Sequence, residues 1–230
     1  MRAPARYVPL IASYAAFFVL MFYALETTSA VSTGALFTLL PLVSAVLSWG
    51  MMKKSGSAAV WLALGLGALG ALWIVFGGSL DRLVRLHLNQ GDVIFFIGVV
   101  AYSFYAVLVP RLTRGEPVYA VTFAVMLGGA VSLSVIYASQ IWATPWAQLP
   151  PRVWIVLGYL AIFAGIFSMW LLTYAAQRLT PTKVMAYTYL TPFWVILLEP
   201  ALGRNVPSFA TLMGVVPILA ALMLLMRQDG

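Results

Sequence analysis

Residues 23–41 read YALETTSAVSTGALFTLLP, and residues 174–192 read YAAQRLTPTKVMAYTYLTP. The two stretches stand 151 residues apart, and each runs from Tyr-Ala through a short polar link into an apolar segment that carries a proline, Pro41 or Pro192. At the same offset Ile11 matches Ile162, Leu20 matches Leu171, Ala35 matches Ala186, Leu39 matches Leu190 and Leu47 matches Leu198. Common residues match by chance in an apolar chain. Two prolines in register, each preceded by Tyr-Ala at the same distance, are harder to obtain that way. Repeats of membrane helices are the usual architecture of secondary transporters, so the repeat bears on function as well as fold.

The surrounding chain is 63% hydrophobic and only 8% charged, against about 45–50% and about 25% in soluble domains. So few charges cannot cover 230 residues with a solvated surface, and the bilayer is the natural solvent. The net charge of +7 is spread in ones and twos between apolar runs, which is the spacing of loop anchors and not the stripe that nucleic acid requires. The absence of cysteine excludes disulfides, thiolate metal sites and cysteine nucleophiles. Arg2 and Arg6 followed by an apolar run ending near Ala30 mimic a secretory leader. The run Tyr7–Leu25 is longer than a leader core of about 7–15 residues, and its match to the segment ending at Tyr174-Ala175 predicts a retained helix.

A spanning helix needs about 20 mostly apolar residues. Eight segments qualify: Tyr7–Leu25, Ser29–Trp49, Ala58–Gly77, Val93–Pro110, Val118–Ala138, Val153–Ala176, Lys183–Leu198 and Ser208–Met226. The longest link, Gly78 to Gly91, mixes Leu80, Leu83, Val84, Leu86 and Leu88 with Arg82 and Arg85 and reads as a short interfacial helix. Loops on the side of the N-terminus hold nine Lys and Arg, and those on the other side four. The positive-inside rule therefore places both termini in the cytoplasm. Matching helices lie five spans apart, an odd number, so they cross in opposite directions and the repeat is an inverted one.

With those motifs in order, the chain resembles the EamA type of the drug/metabolite transporter superfamily. The likeness is carried by Tyr23 to Ala30 leading to Leu40-Pro41-Leu42, by Tyr174 to Pro181 leading to Tyr189-Leu190-Thr191-Pro192, by Leu198-Glu199-Pro200, by Gly214 in the last helix, and by Gly91-Asp92 and Arg111 bounding the fourth segment. The resemblance implies a 5 + 5 helix pattern, of which this chain would supply three helices of the first repeat (residues 1–77), a connecting link (78–91) and all five of the second (92–230). Two helices of the family pattern would then have no counterpart before Tyr7. Where the family's first repeat carries a Gly-Glu or similar acid, this chain reads Ser48-Trp49-Gly50-Met51-Met52.

Little here suits an enzyme. His87 is the sole histidine and falls in a link. There is no His-Glu-x-x-His, no Gly-x-Ser-x-Gly and no acid pair on one helix face. No cofactor or metal is implied. Glu199 follows fifteen uncharged residues and is a candidate for coupling, or for an interfacial role beside Pro200 and Arg204. Pro41 and Pro192 each delete one helix hydrogen bond, freeing a carbonyl that must find a partner or face a wet cavity. Candidates for the cavity wall are Thr38, Pro41, Tyr102, Tyr105, Trp170, Tyr174, Tyr187, Tyr189, Thr191 and Pro192, since Tyr and Trp offer an apolar body with one polar tip. Gly65, Gly67, Gly70, Gly128 and Gly129 read as helix-packing residues, and Trp142, Trp146 and Trp154 as interfacial anchors.

The sequence thus predicts an all-α, polytopic inner-membrane helix bundle of eight transmembrane helices. Its expected work is efflux or exchange of small metabolites, amino acid-like compounds or drugs by alternating access. The alternative is a truncated, non-transporting scaffold or helix-bundle partner. The partners implied are a small-molecule solute, the lipid bilayer and, as an option, a second copy of the chain in a homodimer.

Overall fold

A computed structural model describes residues 4–28, 30–52, 57–85, 88–198 and 208–227. Among them every regular element is helical. The backbone must close its own hydrogen bonds in a bilayer, and a helix does so within one segment. The first helix, α1 (Val8–Ala24), follows a 3-10 turn at Pro4–Tyr7. Then come α2 (Ala30–Phe37) and α3 (Leu40–Met52), α4 (Ala58–Val75), the short α5 (Leu80–Val84), α6 (Gln90–Leu112), α7 (Val118–Ile136) and the short α8 (Ala138–Ala143). The chain ends in α9 (Pro151–Tyr159), α10 (Ser168–Ala176), α11 (Pro181–Ala186), α12 (Leu190–Leu198), α13 (Phe209–Leu212) and α14 (Val215–Arg227).

Seven stretches among the described residues are long and apolar enough to cross a membrane: Ala5–Ala24, Ser32–Met51, Ala58–Val75, Gln90–Leu112, Val118–Ile136, Pro151–Ala176 and Phe209–Arg227. The remaining expected segment, Lys183–Leu198, is present in two pieces, α11 and α12, with a 3-10 turn at Tyr187–Tyr189 between them. The wide π turn at Leu160–Phe167, between α9 and α10, was not legible in the sequence. The basic link residues Lys53, Lys54 and Arg204, together with His87, Glu199 and Pro200, lie outside the described residues.

Polar contacts sort the links into two ends. Arg6, before α1, pairs with Glu116 in the link after α6, and Gln177, after α10, donates to the Glu116 carbonyl at 3.3 Å. At the opposite end, Asn89 before α6 donates to the Thr27 carbonyl after α1 at 3.0 Å. Helices α1 and α6 are therefore antiparallel and joined at both ends. Trp73, late in α4, donates to the Ala210 carbonyl in α13 at 2.7 Å. Helix α4 thus runs against α14, and the chain leaves α4 through Gly77 and Gly78 at φ of 63° and 72°, a left-handed turn that glycine adopts freely.

Three local structures recur at the 151-residue offset. The turn ending α1 bonds the Thr27 and Thr28 amides to the Ala24 carbonyl at 3.0 and 2.9 Å, and the turn ending α10 bonds those of Arg178 and Leu179 to Ala175 at 3.0 and 2.8 Å. Helix α2 gives way to α3 at Thr38–Leu39, two residues before Pro41, and α11 gives way to α12 at Tyr187–Tyr189, three residues before Pro192. Ser57 caps α4 by accepting from the Val60 amide, and Ser208 caps α13 by accepting from Thr211. The Ala24 and Ala175 turns sit at opposite ends of α6, the first against its N-terminal cap and the second against the link that follows it.

The buried side chains form two cores. One gathers Leu10, Tyr14, Val99, Tyr105, Met169 and Met185 around α1, α6, α7 and α10. The other gathers Leu64, Ala71, Tyr189, Ile218 and Leu225 around α4 and α14. The boundary crosses both broken helices: Leu40 belongs to the first core and Ala45 to the second, and likewise Met185 and Ala186. In the second core α4 and α14 touch backbone to backbone. A methyl on Gly70 would stand 2.6 Å from the Gly214 carbonyl oxygen, and one on Gly214 would stand 2.7 Å from that of Gly70. A methyl on Gly67 would strike the Tyr189 ring, whereas Gly65 and Gly129 have nothing within 4 Å. Gly70→Ala should cost about 1–3 kcal/mol, the usual range for overpacking, and lower the thermal midpoint in detergent. Gly65→Ala should leave it unchanged or raise it, and equal midpoints for the two variants would contradict this packing.

Candidate functional site

The interior centres on α6. Its Tyr102, Ser103 and Tyr105 reach four neighbouring helices. Tyr105 is fully buried, exchanges a 2.9 Å hydrogen bond with Thr173 of α10, and packs 5.7 Å from the Tyr14 ring of α1. Tyr102 stacks on Phe17 at 4.6 Å and lies 6.4 Å from Phe37, the last residue of α2. The Ser103 hydroxyl donates to Val99 at 2.9 Å and approaches the Leu40 carbonyl at 3.5 Å. Beside these, Thr38 is buried and donates to Ala35 at 2.7 Å, and Pro41 is buried at the head of α3. The structure thus brings together Thr38, Pro41, Tyr102 and Tyr105. Phe17, Phe37 and Thr173 join them, and nothing in the sequence alone singled those three out.

The other candidates lie elsewhere. Tyr189 belongs to the second core, where it is fully buried, packs its ring on Gly67 and spends its hydroxyl on the Leu64 carbonyl at 3.0 Å. Pro192 is half-buried, and Tyr187 and Thr191 are exposed. Trp170 and Tyr174 are exposed on α10 in a row of rings in which Phe167 lies 6.3 Å from Trp170 and Trp170 lies 5.9 Å from Tyr174. The Arg178 guanidinium closes the row 3.7 Å above the Tyr174 ring, a cation–π contact. Glu199 lies outside the described residues.

One acid, which the sequence offers only in the Gly91-Asp92 motif opening the fourth segment, has a defined setting in the fold. Asp92 is 1% exposed. Its carboxylate accepts from the Thr28 hydroxyl and, at 2.7 Å, from the Asn89 amide, while the Asn89 side chain accepts from the Asp92 amide at 3.0 Å. This is a reciprocal capping box whose acid also holds the preceding helix. Gly91 makes the approach feasible, since a methyl there would stand 3.0 Å from the Ala24 carbonyl and would strike Thr27. The carboxylate further benefits from the positive end of the α6 dipole. No group of three or more metal-binding side chains occurs among the described residues.

Comparison with known proteins bears on what such an interior does. The model of a family described as the EamA-like transporter family matches residues 89–227. A Bacillus subtilis (strain 168) protein named "Uncharacterized transporter YyaM" is 26% identical over 207 residues, covering 90% of this chain and 68% of the relative. "Uncharacterized inner membrane transporter YedA" of Escherichia coli (strain K12) is 25% identical over 149 residues, covering 64% of this chain and 46% of the relative. A solved structure titled "Crystal structure of protein" superposes with a TM-score of 0.76 at 19% identity, covering 97% of this chain and 78% of the other, which establishes the fold.

Removing the Asp92 carboxylate loses a cap and strands the Thr28 hydroxyl. Asp92→Ala should therefore destabilise the folded protein by about 1–3 kcal/mol, and Asp92→Asn by less. Thermal unfolding of both in detergent checks this, and a wild-type midpoint for Asp92→Ala would contradict it.

Proposed function

The chain belongs to the EamA-like transporter family and is a membrane transporter, and from that premise we propose that it carries a small solute across the inner membrane by alternating access. The observation that carries this reading is the repeat of turn, helix break and serine cap at one offset, with the two turns at opposite ends of the bundle. Residues 1–77 and 92–230 are then halves of an inverted repeat, the arrangement by which secondary transporters place a solute site between two parts that rock. Its interior supplies aromatic rings with hydroxyl tips and no described acid cluster, which suits metabolites, amino acid-like compounds or drugs with a large apolar surface.

The two cores are the natural moving parts. Helices α1 and α6 are joined at both ends, so they move as one body. Helix α4 is held to α14 through Gly70 and Gly214, and to α13 through Trp73. The broken helices cross from one body to the other close to their breaks, between Leu40 and Ala45 in α3 and between Met185 and Ala186 in α11. Pro41 and Pro192 keep those positions free of the helix bond that would stiffen them. Efflux or exchange is the direction we assign, with both termini in the cytoplasm.

One observation favours a second reading, that of a helix-bundle partner and not an independent carrier. No side chain is buried from Pro151 to Phe167, so that part of the span leaves most of its surface uncovered by the other helices. Flux measurements separate the two readings. Purified protein in proteoliposomes should exchange at least one solute of a metabolite and drug panel, and Pro192→Ala should cut that flux by about tenfold, the scale of a 1.4 kcal/mol change, without reducing insertion. Absence of flux across the whole panel would favour the partner reading, and undiminished flux in both Pro41→Ala and Pro192→Ala would count against hinges at the breaks. A C-terminal fluorescent-protein fusion should glow and a C-terminal alkaline phosphatase fusion should be inactive; the reverse pattern would invert the assigned orientation.

A further inference from the structure

Helix α3 turns Pro41, Ser44, Ala45 and Ser48 inward, one to two turns apart, and leaves Val46 and Trp49 exposed. Ser44 is fully buried and Ser48 is 8% exposed, yet neither hydroxyl has a hydrogen-bond partner. A helical serine or threonine ordinarily donates to the carbonyl four residues back. Ser103, Thr113, Ser132 and Thr144 of this chain all do so, at 2.7–2.9 Å. Ser44 and Ser48 do not, and the carbonyl that Ser44 would use, that of Leu40, is approached instead by Ser103 of α6. The other buried hydroxyls in this condition, Tyr7 and Thr122, sit singly in the first turns of the Arg6 end. Among the described residues only Ser44 and Ser48 form a pair, one turn apart on one face.

That face lies on the boundary of the two cores. Leu40 belongs to one and Ala45 to the other, and α3 packs against both α6 and α11. The charged residues of α3, α4, α6 and α11 are Asp92, Arg111 and Lys183, each within the first or last turns of its helix. A buried polar atom without a partner is costly, and a pair of them on the seam where two bodies meet is accounted for by a ligand that supplies the missing bonds.

We propose that Ser44 and Ser48 form a two-hydroxyl seat between the cores that binds an uncharged hydrogen-bonding group, a hydroxyl or a carboxamide, of the transported solute. The proposal rests on the transporter reading above and adds the recognition chemistry to it. The seat is one turn below the Pro41 break, so a group held there touches the element that bridges the two bodies.

The chain has no cysteine, which makes a direct test clean. Ser44→Cys and Ser48→Cys, in the full-length protein in detergent, are treated with methanethiosulfonates of similar size carrying a hydroxyethyl, a sulfonatoethyl or a trimethylammonioethyl group. Modification is followed by mass, and rates are normalised to Val46→Cys on the exposed side of α3. The neutral hydroxyethyl reagent should react about tenfold or more faster than either charged one at both positions, since desolvating an ion between these helices is costly. No modification of either cysteine by any reagent, in variants whose thermal midpoints match the parent, would mean that the seam is closed and would overturn the seat. Equal rates, or faster reaction with a charged reagent, would overturn its preference for a neutral group. Selective labelling together with no flux in the proteoliposome panel would leave the seat standing and remove the transporter reading, so the two failures are separable.

Discussion

Hydrocarbon offers no hydrogen bonds, and every peptide group of this protein that lies in the bilayer has to be satisfied from within the chain. That constraint accounts for the helical architecture and for where it departs from regularity. Proline at 41 or 192 removes a donor that the bilayer cannot replace, so the helix is interrupted just before each one. Beside the breaks, hydroxyls fold back on their own turns: Thr38 donates to Ala35, and Thr188 donates to Met185 at 2.6 Å. Hydroxyls elsewhere fold back on their own helices for the same reason. Against that background, the two serines of α3 that do not fold back stand out.

The same constraint concentrates specific polar contacts at the ends of the bundle, where water and headgroups compensate imperfect bonds. Arg6 and Glu116 at one end and Thr28 and Asp92 at the other hold α1 to α6, while their middles meet through the rings of Phe17, Tyr102, Tyr14 and Tyr105. The α4–α14 pair uses a different device, close approach at Gly70 and Gly214, which lets dispersion and shape replace polar bonds. One pair is fixed by charge and aromatic stacking, the other by the absence of side chains.

Much of this was legible in the residues. Apolar run lengths located the spans, and the paired prolines located both breaks, because proline's missing donor acts through bonding within a few residues. The Ser57 and Ser208 caps were legible too, being the same residue at the same offset, but they are hidden among many serines unless the repeat is extended past the second helix. In the sequence Gly91-Asp92 only bounds the fourth segment; the fold puts Thr28 beside the acid. Sequence could not separate Tyr105 from Tyr174, since both are aromatic and sit on helices of similar hydropathy. The first is buried by α1 and α10, while the second faces outward with Arg178 over its ring. The π turn at Leu160–Phe167 left no mark, because its residues suit an α-helix equally well.

The partners that complete each helix are far away in the chain. Thr28 waits for Asp92, Arg6 for Glu116, Leu64 for Tyr189, and Trp73 for Ala210. A nascent chain threading into the membrane therefore delivers α1, α3 and α4 before the surfaces they rest on have been synthesised. Those helices enter the lipid before their distant partners, and α4 remains without α14 until that helix has left the ribosome. Closure of the second core thus waits on α14, a helix synthesised long after the α4 it packs against.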